Sequence, residues 1–285
     1  MNGWATWRLS CRWLLACLLA LLGVTLCGCF KWEKLIFSTD EEMHFPADLS
    51  ALAFEEVLFT APGEVTLYGW YLPGQPGKPL ILFFHGTATN LSHEIEYLAR
   101  LHDLGTTVFA FDYRGYGQSS GEPSEQGTYQ DAGGALDYLR TRGWEPAQII
   151  YCGRSLGAAV ALDFALKNPP AGLVLESPFT SLAGLICYHY QLTCPLLRQV
   201  YAGFYNNLGK ITQLRSPLLI FQGEKDTIVP RQMAEELFRR APEPKTIYLV
   251  AGAGHGDLWQ VGGAPYWEHW KRFLNKNVTT SASLP

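Results

Sequence analysis

From residue 80 onward the chain alternates short unbroken apolar runs with longer stretches whose apolar residues recur every three or four positions. The runs at 80–84, 107–111, 149–152, 172–175, 218–222 and 246–250 predict strands buried on both faces. The stretches between them predict helices over about 92–103, 125–142, the segment after Ser155, 231–240 and 266–274. Two earlier runs differ. Residues 54–59 and 65–72 are bounded by Pro and Gly, and the second alternates apolar with polar positions, which predicts an antiparallel hairpin. Strand–helix alternation of this kind builds an α/β domain around a mostly parallel sheet with helices on both faces, expected here over 53–276. The one long gap between strands, 176–216, holds Pro178, Pro195 and several aromatics (Phe179, Tyr188, Tyr190, Tyr201, Phe204, Tyr205), with little charge before Arg198. It predicts a small cap insertion at about 177–215, or alternatively a pair of helices that only cover the sheet.

The N-terminus breaks the pattern. Arg8 and Arg12 precede an uncharged, Leu-rich run over 13–30, and the first acid is Glu33. A basic region followed by an apolar one reads as a signal sequence over 1–28, leaving 29–52 as a tether and 277–285 as a flexible tail. The run ends Leu26-Cys27-Gly28-Cys29. This resembles the lipobox of bacterial lipoproteins, with an aliphatic residue three before and a small residue one before the cysteine that carries lipid. The resemblance implies lipidation at Cys29. Phe30 follows, rather than the aspartate that favours inner-membrane retention in enteric bacteria, so the implied address is the bacterial cell envelope, at the periplasm-facing side of an outer membrane. The run is also near the lower length limit of a membrane span, so a single-pass anchor is the alternative; simple secretion is a third.

Composition narrows the partners. With 22 Lys and Arg against 26 Asp and Glu, the chain has a formal charge of −4, and loss of 1–28 would make it more acidic. Nucleic acid is not an expected partner. Of seven cysteines, Cys152, Cys187 and Cys194 lie beyond the signal and the lipobox. Cys152 reads as a packing residue, whereas Cys187 and Cys194 are close enough in sequence to form a disulfide in an oxidising compartment.

The chemistry centres on Gly153-Arg154-Ser155-Leu156-Gly157, set directly between an apolar strand and a small-residue helix. A serine on such a turn is strained and thrust clear of the sheet, and only small neighbours fit around it. A second match, Gly117-Gln118-Ser119-Ser120-Gly121, follows no strand directly and opens no helix, so it reads as a loop. A serine nucleophile needs a base and the base an orienting carboxylate. His255, in a Gly-rich loop after the strand at 246–250, is the candidate base, whereas His269 lies within a predicted helix. Asp226, just after the strand at 218–222, is the candidate acid, with Glu176 and Glu224 as rivals and a helix-capping role as the bland alternative. Backbone N–H groups of Thr87 and Leu156 would form the oxyanion hole, Ala88 being the alternative donor.

These residues carry a resemblance. His85-Gly86, Asp112-Tyr113-Arg114-Gly115-Tyr116-Gly117-Gln118-Ser119, the Ser155 pentapeptide, Glu176-Ser177-Pro178-Phe179-Thr180-Ser181, Gly223-Glu224-Lys225-Asp226 with Val229-Pro230, and Gly254-His255 make the chain similar to the α/β-hydrolase superfamily over about 54–274. Within it the chain resembles the serine aminopeptidase S33 and lysophospholipase-like group, which includes protein depalmitoylases. The order Ser155, Asp226, His255 is the order this fold requires. The resemblance implies a membrane-tethered serine hydrolase cleaving an acyl ester or thioester, lipid-like in character, through an acyl-enzyme. An S33-type aminopeptidase or amidase is the alternative enzyme, and a non-catalytic binding protein the alternative class. No zincin, P-loop or dinucleotide motif is present, so neither a metal nor an organic cofactor is expected. One departure stands out: Gln222 precedes Gly223 where many relatives have His.

Overall fold

The computed structural model describes residues 36–43 and 53–277. The signal-sequence and lipidation readings at 1–28 and Cys29 lie outside the described residues, as does the tail from 278. One sheet holds β1 (Glu55–Ala61), β2 (Val65–Leu72), β3 (Leu80–Phe84), β4 (Thr107–Phe111), β5 (Ile149–Arg154), β6 (Gly172–Glu176), β7 (Leu218–Gly223) and β8 (Lys245–Val250). The strand order is β1-β2-β4-β3-β5-β6-β7-β8. The pairs β1–β2 and β2–β4 are antiparallel and the others parallel, as the change from alternating to continuous apolar runs predicts. Every residue of β3, β4 and β6 is buried, whereas β1 at the edge buries alternate residues only.

Helices cover both faces. Tyr97, Leu98 and Leu101 of α1 (Ile95–His102) pack with residues of the C-terminal helix on Ile81, Phe83, Ile150, Cys152 and Val174 of the sheet. On the other face, α2 (Glu125–Thr141) and α3 (Leu156–Lys167) cover an aromatic layer in which Phe84 meets Phe111, Tyr151 and Phe164. Between β6 and β7 come α4 (Leu182–His189), α5 (Cys194–Val200) and the short α6 (Asn207–Lys210), followed after β7 by α7 (Arg231–Arg240) and after β8 by α8 (Leu258–Asn277). The sequence places the last helix from 266 only. It starts earlier because Gly263 takes φ 51° and, with Pro265, joins two helical pieces across a kink that the apolar periodicity does not reveal.

The insertion between β6 and β7 is helical, and a disulfide joins Cys187 to Cys194 within it. Its aromatics divide. Phe179, Tyr201 and Tyr205 are buried against the domain, while Tyr188 and Tyr190 are exposed. The tether reading narrows as well, because residues 37–43 are held on the domain. Phe37 is buried, and the carbonyls of Asp40 and Glu42 accept hydrogen bonds from the Asn90 amide at 3.2 and 2.7 Å.

Candidate active site

Ser155 ends the turn between β5 and α3 with φ 54° and ψ −114°, a strained backbone for any residue with a side chain. Its N–H donates to the carbonyl of Glu176 on the neighbouring strand at 2.9 Å. The flanking glycines are steric necessities. A Cβ on Gly153 would lie 2.2 Å from the Gly157 carbonyl oxygen, and one on Gly157 would lie 2.0 Å from that of Phe84. Gly86 is different, since a Cβ there would make ordinary contact with the Ser155 side chain at 3.7 Å.

The structure brings Ser155 and His255 to one cavity of about 540 Å³, which Gly86, Thr87 and Ala88 also line. Nδ1 of His255 lies 2.8 Å from Oδ2 of Asp226, which leaves Nε2 to receive a proton. Asp226 is fully engaged. Its Oδ1 accepts the N–H groups of Ile228 (2.9 Å) and Val229 (2.8 Å), and its Oδ2 also accepts the Gln222 amide at 3.0 Å. Burial works to raise its pKa, but the bonds and charge of His255 and the two N–H groups outweigh burial and hold the carboxyl below its ordinary value. Asp226 is thus a carboxylate that fixes a histidine ring.

The rival residues have other tasks. Glu224 is exposed and lies 3.6 Å from Arg231. Buried Glu176 accepts Arg154 Nε at 2.8 Å and the hydroxyls of Tyr97 and Tyr266. His269 stacks on Tyr248. Ser119, from the second pentapeptide, is buried, donating to the Asp112 carbonyl at 2.7 Å and accepting the Tyr68 N–H at 2.9 Å.

The loop carrying Thr87 is braced from three sides. His85 is wholly buried, and its Nδ1 lies 2.7 Å from the Gly86 carbonyl, fixing the peptide plane whose N–H belongs to Thr87. Burial lowers its pKa to about 4, so the ring is neutral. The Tyr116 hydroxyl donates to the Thr87 carbonyl at 3.0 Å, and Asp112 accepts the Leu91 N–H at 2.9 Å. Leu156 is buried beside Ser155 without lining the cavity; its N–H, at the first position of α3, has no partner within that helix.

Sequence reasoning passes over Arg154, treating it as the free position of the pentapeptide. It lines the cavity and bridges two carboxylates, with Nη1 on Glu94 at 2.7 Å and Nε on Glu176. A charged residue closing an otherwise apolar buried strand is the signal that could have found it. Ser177 is also missed; its hydroxyl donates to the His255 carbonyl at 3.2 Å. Cys152 is buried 3.7 Å from the Tyr97 hydroxyl, as a packing residue would be. Among the described residues no group of three His, Cys, Asp or Glu is arranged to hold a metal ion. No residue of 177–215 lines the cavity, whose apolar wall comes from Ile95, Tyr97, Ile228 and Trp259.

Residues 75–205 match the family model for serine aminopeptidase, S33. An uncharacterized protein of Mycobacterium tuberculosis is 40% identical over 229 residues, covering 79% of this chain and 81% of that protein. The alpha/beta hydrolase domain-containing protein WAV2 of Arabidopsis thaliana is 32% identical over 251 residues, covering 81% of each chain. Among solved structures, the Pyrococcus furiosus esterase Pf2001 superposes with a TM-score of 0.66 at 22% identity, over 86% of this chain and 99% of that one. That likeness speaks to the fold.

Proposed function

Because the chain belongs to the α/β-hydrolase superfamily and matches the serine aminopeptidase S33 model over 75–205, we propose that it is a serine hydrolase acting on carboxylic ester or thioester bonds through an acyl-enzyme. The observation that carries the reading is the convergence on one cavity of Ser155, on its strained turn, and His255, bonded to Asp226. Ser155 Oγ attacks the acyl carbon while His255 Nε2 takes the hydroxyl proton and then passes it to the departing alcohol or thiol. Water, activated by the same ring, releases the acid. N–H groups of Thr87 and Leu156 meet the negative charge that develops on the acyl oxygen.

The cavity supports an acyl group better than an aminoacyl one. Its apolar wall suits a hydrocarbon chain, and Glu94, the buried carboxylate in that wall, is already paired with Arg154. Glu96 at the exposed side of the cavity is what an aminopeptidase reading would have to use. The sequence of 1–30 supports attachment to a membrane, with Cys29 as the lipid-bearing residue.

Labelling with a fluorophosphonate, followed by turnover of p-nitrophenyl acyl esters, acyl thioesters and aminoacyl amides, tests the proposal. Ser155→Ala and His255→Ala are expected to lose activity by roughly 10⁴- to 10⁶-fold and Asp226→Asn by less, whereas Ser119→Ala stays active. Cleavage of aminoacyl amides alone would promote the peptidase, and an unlabelled wild-type protein would leave only the binding-protein reading.

A further inference from the structure

Leu58 on β1 aside, every large hydrophobic side chain exposed among the described residues follows the C-terminal end of β6, β7 or β8: Tyr188, Tyr190, Leu192, Leu196, Ile228 and Val261. A random scatter would populate the opposite edge of the sheet as well. Four of the six stand on the tip of the β6–β7 insertion, where Leu192 is 99% exposed. The tip is joined to the cavity rim, because His189 Nε2 lies 2.7 Å from the carbonyl of Ile228, a residue that lines the cavity. Val261 directly follows Trp259 and Gln260, which line it too.

The tip is built to keep its apolar residues outside. The Cys187–Cys194 disulfide closes the loop that carries Tyr188, Tyr190 and Leu192 against the ends of α4 and α5. The charge pattern identifies what could cover it. From Ser177 to Arg215 the acidic chain has no Asp or Glu, and its charged residues are Arg198, Lys210 and Arg215; Arg198 is exposed on the same helix as Leu196. Tyrosines flanking a protruding leucine, with arginine and no acid in the same segment, match the layered chemistry of a bilayer surface, where rings sit among headgroups, leucine reaches the acyl region and cations meet anionic lipid.

We propose that the insertion tip, with Ile228 and Val261, is a docking surface for an anionic lipid bilayer, which sets the mouth of the cavity at the membrane and presents it with substrates whose acyl chains lie in the lipid. The proposal rests on the ester or thioester hydrolase reading for its substrate, but the docking itself can be measured separately.

Full-length protein is reconstituted with vesicles of phosphatidylcholine and phosphatidylglycerol, carrying a fluorescent non-natural residue at position 192 or, as a control, at position 58. Lipids brominated along their acyl chains should quench the probe at 192 and not that at 58. Equal quenching at the two positions, no quenching at 192, or cross-linking of position 192 to a second copy or another protein overturns the proposal. In the kinetic arm, Leu192→Asp should lower turnover of an acyl ester held in the same vesicles by about tenfold, the order expected for losing one buried leucine, and leave soluble p-nitrophenyl acetate unaffected. Full retention on the vesicle ester, or equal loss on both substrates, counts against docking. A wild-type protein inactive on both substrates refutes the hydrolase reading, and quenching then decides docking alone.

Discussion

At the scale of single residues, Asp112 has the largest stake in pH. It is buried behind the loop that carries Thr87, with Oδ1 on the Leu91 N–H, Oδ2 buried without a hydrogen-bond partner, and neutral His85 3.7 Å away. Burial raises its pKa to about 7, aided by the charge of Asp40 and opposed by the Leu91 N–H. An acid whose pKa is raised on folding carries no penalty below the unfolded value of 3.8; between there and about 7 the unfolded chain releases a proton that the folded chain keeps. Stability should therefore fall across that window by up to about 1.4 kcal/mol per pH unit and then level off. Asp112→Asn removes this dependence, so urea denaturation at pH 5 to 8 should find the variant gaining on the wild type as pH rises; a difference constant with pH would refute the assignment. Such second-layer residues were the least legible in the sequence. Ser155, Asp226 and His255 could be read from local context because each lies in the turn or loop that follows a strand. Gln222, noted only as a departure from relatives, turns out to hold Asp226, and nothing local to residue 222 announces a contact four positions away.

Elements were far more legible, because burial on both faces of a sheet imposes an unbroken apolar run. The expected limits of β2, β3, β4 and α7 coincide with those observed, and β5, β6, β7 and β8 differ by one or two residues at an end. What periodicity could not supply is how the ends are tied together. Arg154 supplies one tie: it joins the last residue of β5 to Glu94 at the start of α1 and to Glu176 at the end of β6, with its guanidinium 4.3 Å from the centre of the Tyr97 ring. The backbone carbonyl of the same Glu176 receives the Ser155 N–H, and neighbouring Ser177 reaches the His255 loop. Arg154→Met leaves two buried carboxylates without their cation, which should destabilise the fold by about 3–5 kcal/mol, visible as a lower Tm. The double variant Arg154→Met with Glu94→Gln should recover part of that loss. Were Arg154→Met to melt like the wild type, the cluster would not be holding these strand ends. A lower kcat in Arg154→Lys at unchanged KM would assign it a positioning role beyond stability, since lysine keeps the charge but cannot bridge two carboxylates in a fixed fork.

At the scale of the whole molecule, the sheet gathers every proposed catalytic group at one edge, and the remaining question is where that edge is held. Among the described residues no helix is long and apolar enough to cross a membrane, and the proposed attachment rests on the sequence of 1–30. Two mechanisms compete for the run at 13–30, and they differ in covalent structure. In the lipoprotein mechanism the chain is cut before Cys29 and the new terminus carries a diacyl group; two chains anchor stably where a single one binds only reversibly. In the other, the run stays in place as an uncleaved span. Mass spectrometry of the membrane-bound protein separates them: the lipoprotein proposal expects a mature N-terminus at Cys29 heavier by its lipid, and Cys29→Ser should abolish that modification. The same variant, solubilised, should retain hydrolase activity and fluorophosphonate labelling, because Ser155, Asp226 and His255 are carried by a sheet whose strands run from Glu55 to Val250, well beyond position 29 in the chain. An intact Met1, or an unmodified Cys29 on protein that still sediments with membranes, would replace lipid attachment with a transmembrane anchor while leaving the reading of the catalytic edge untouched.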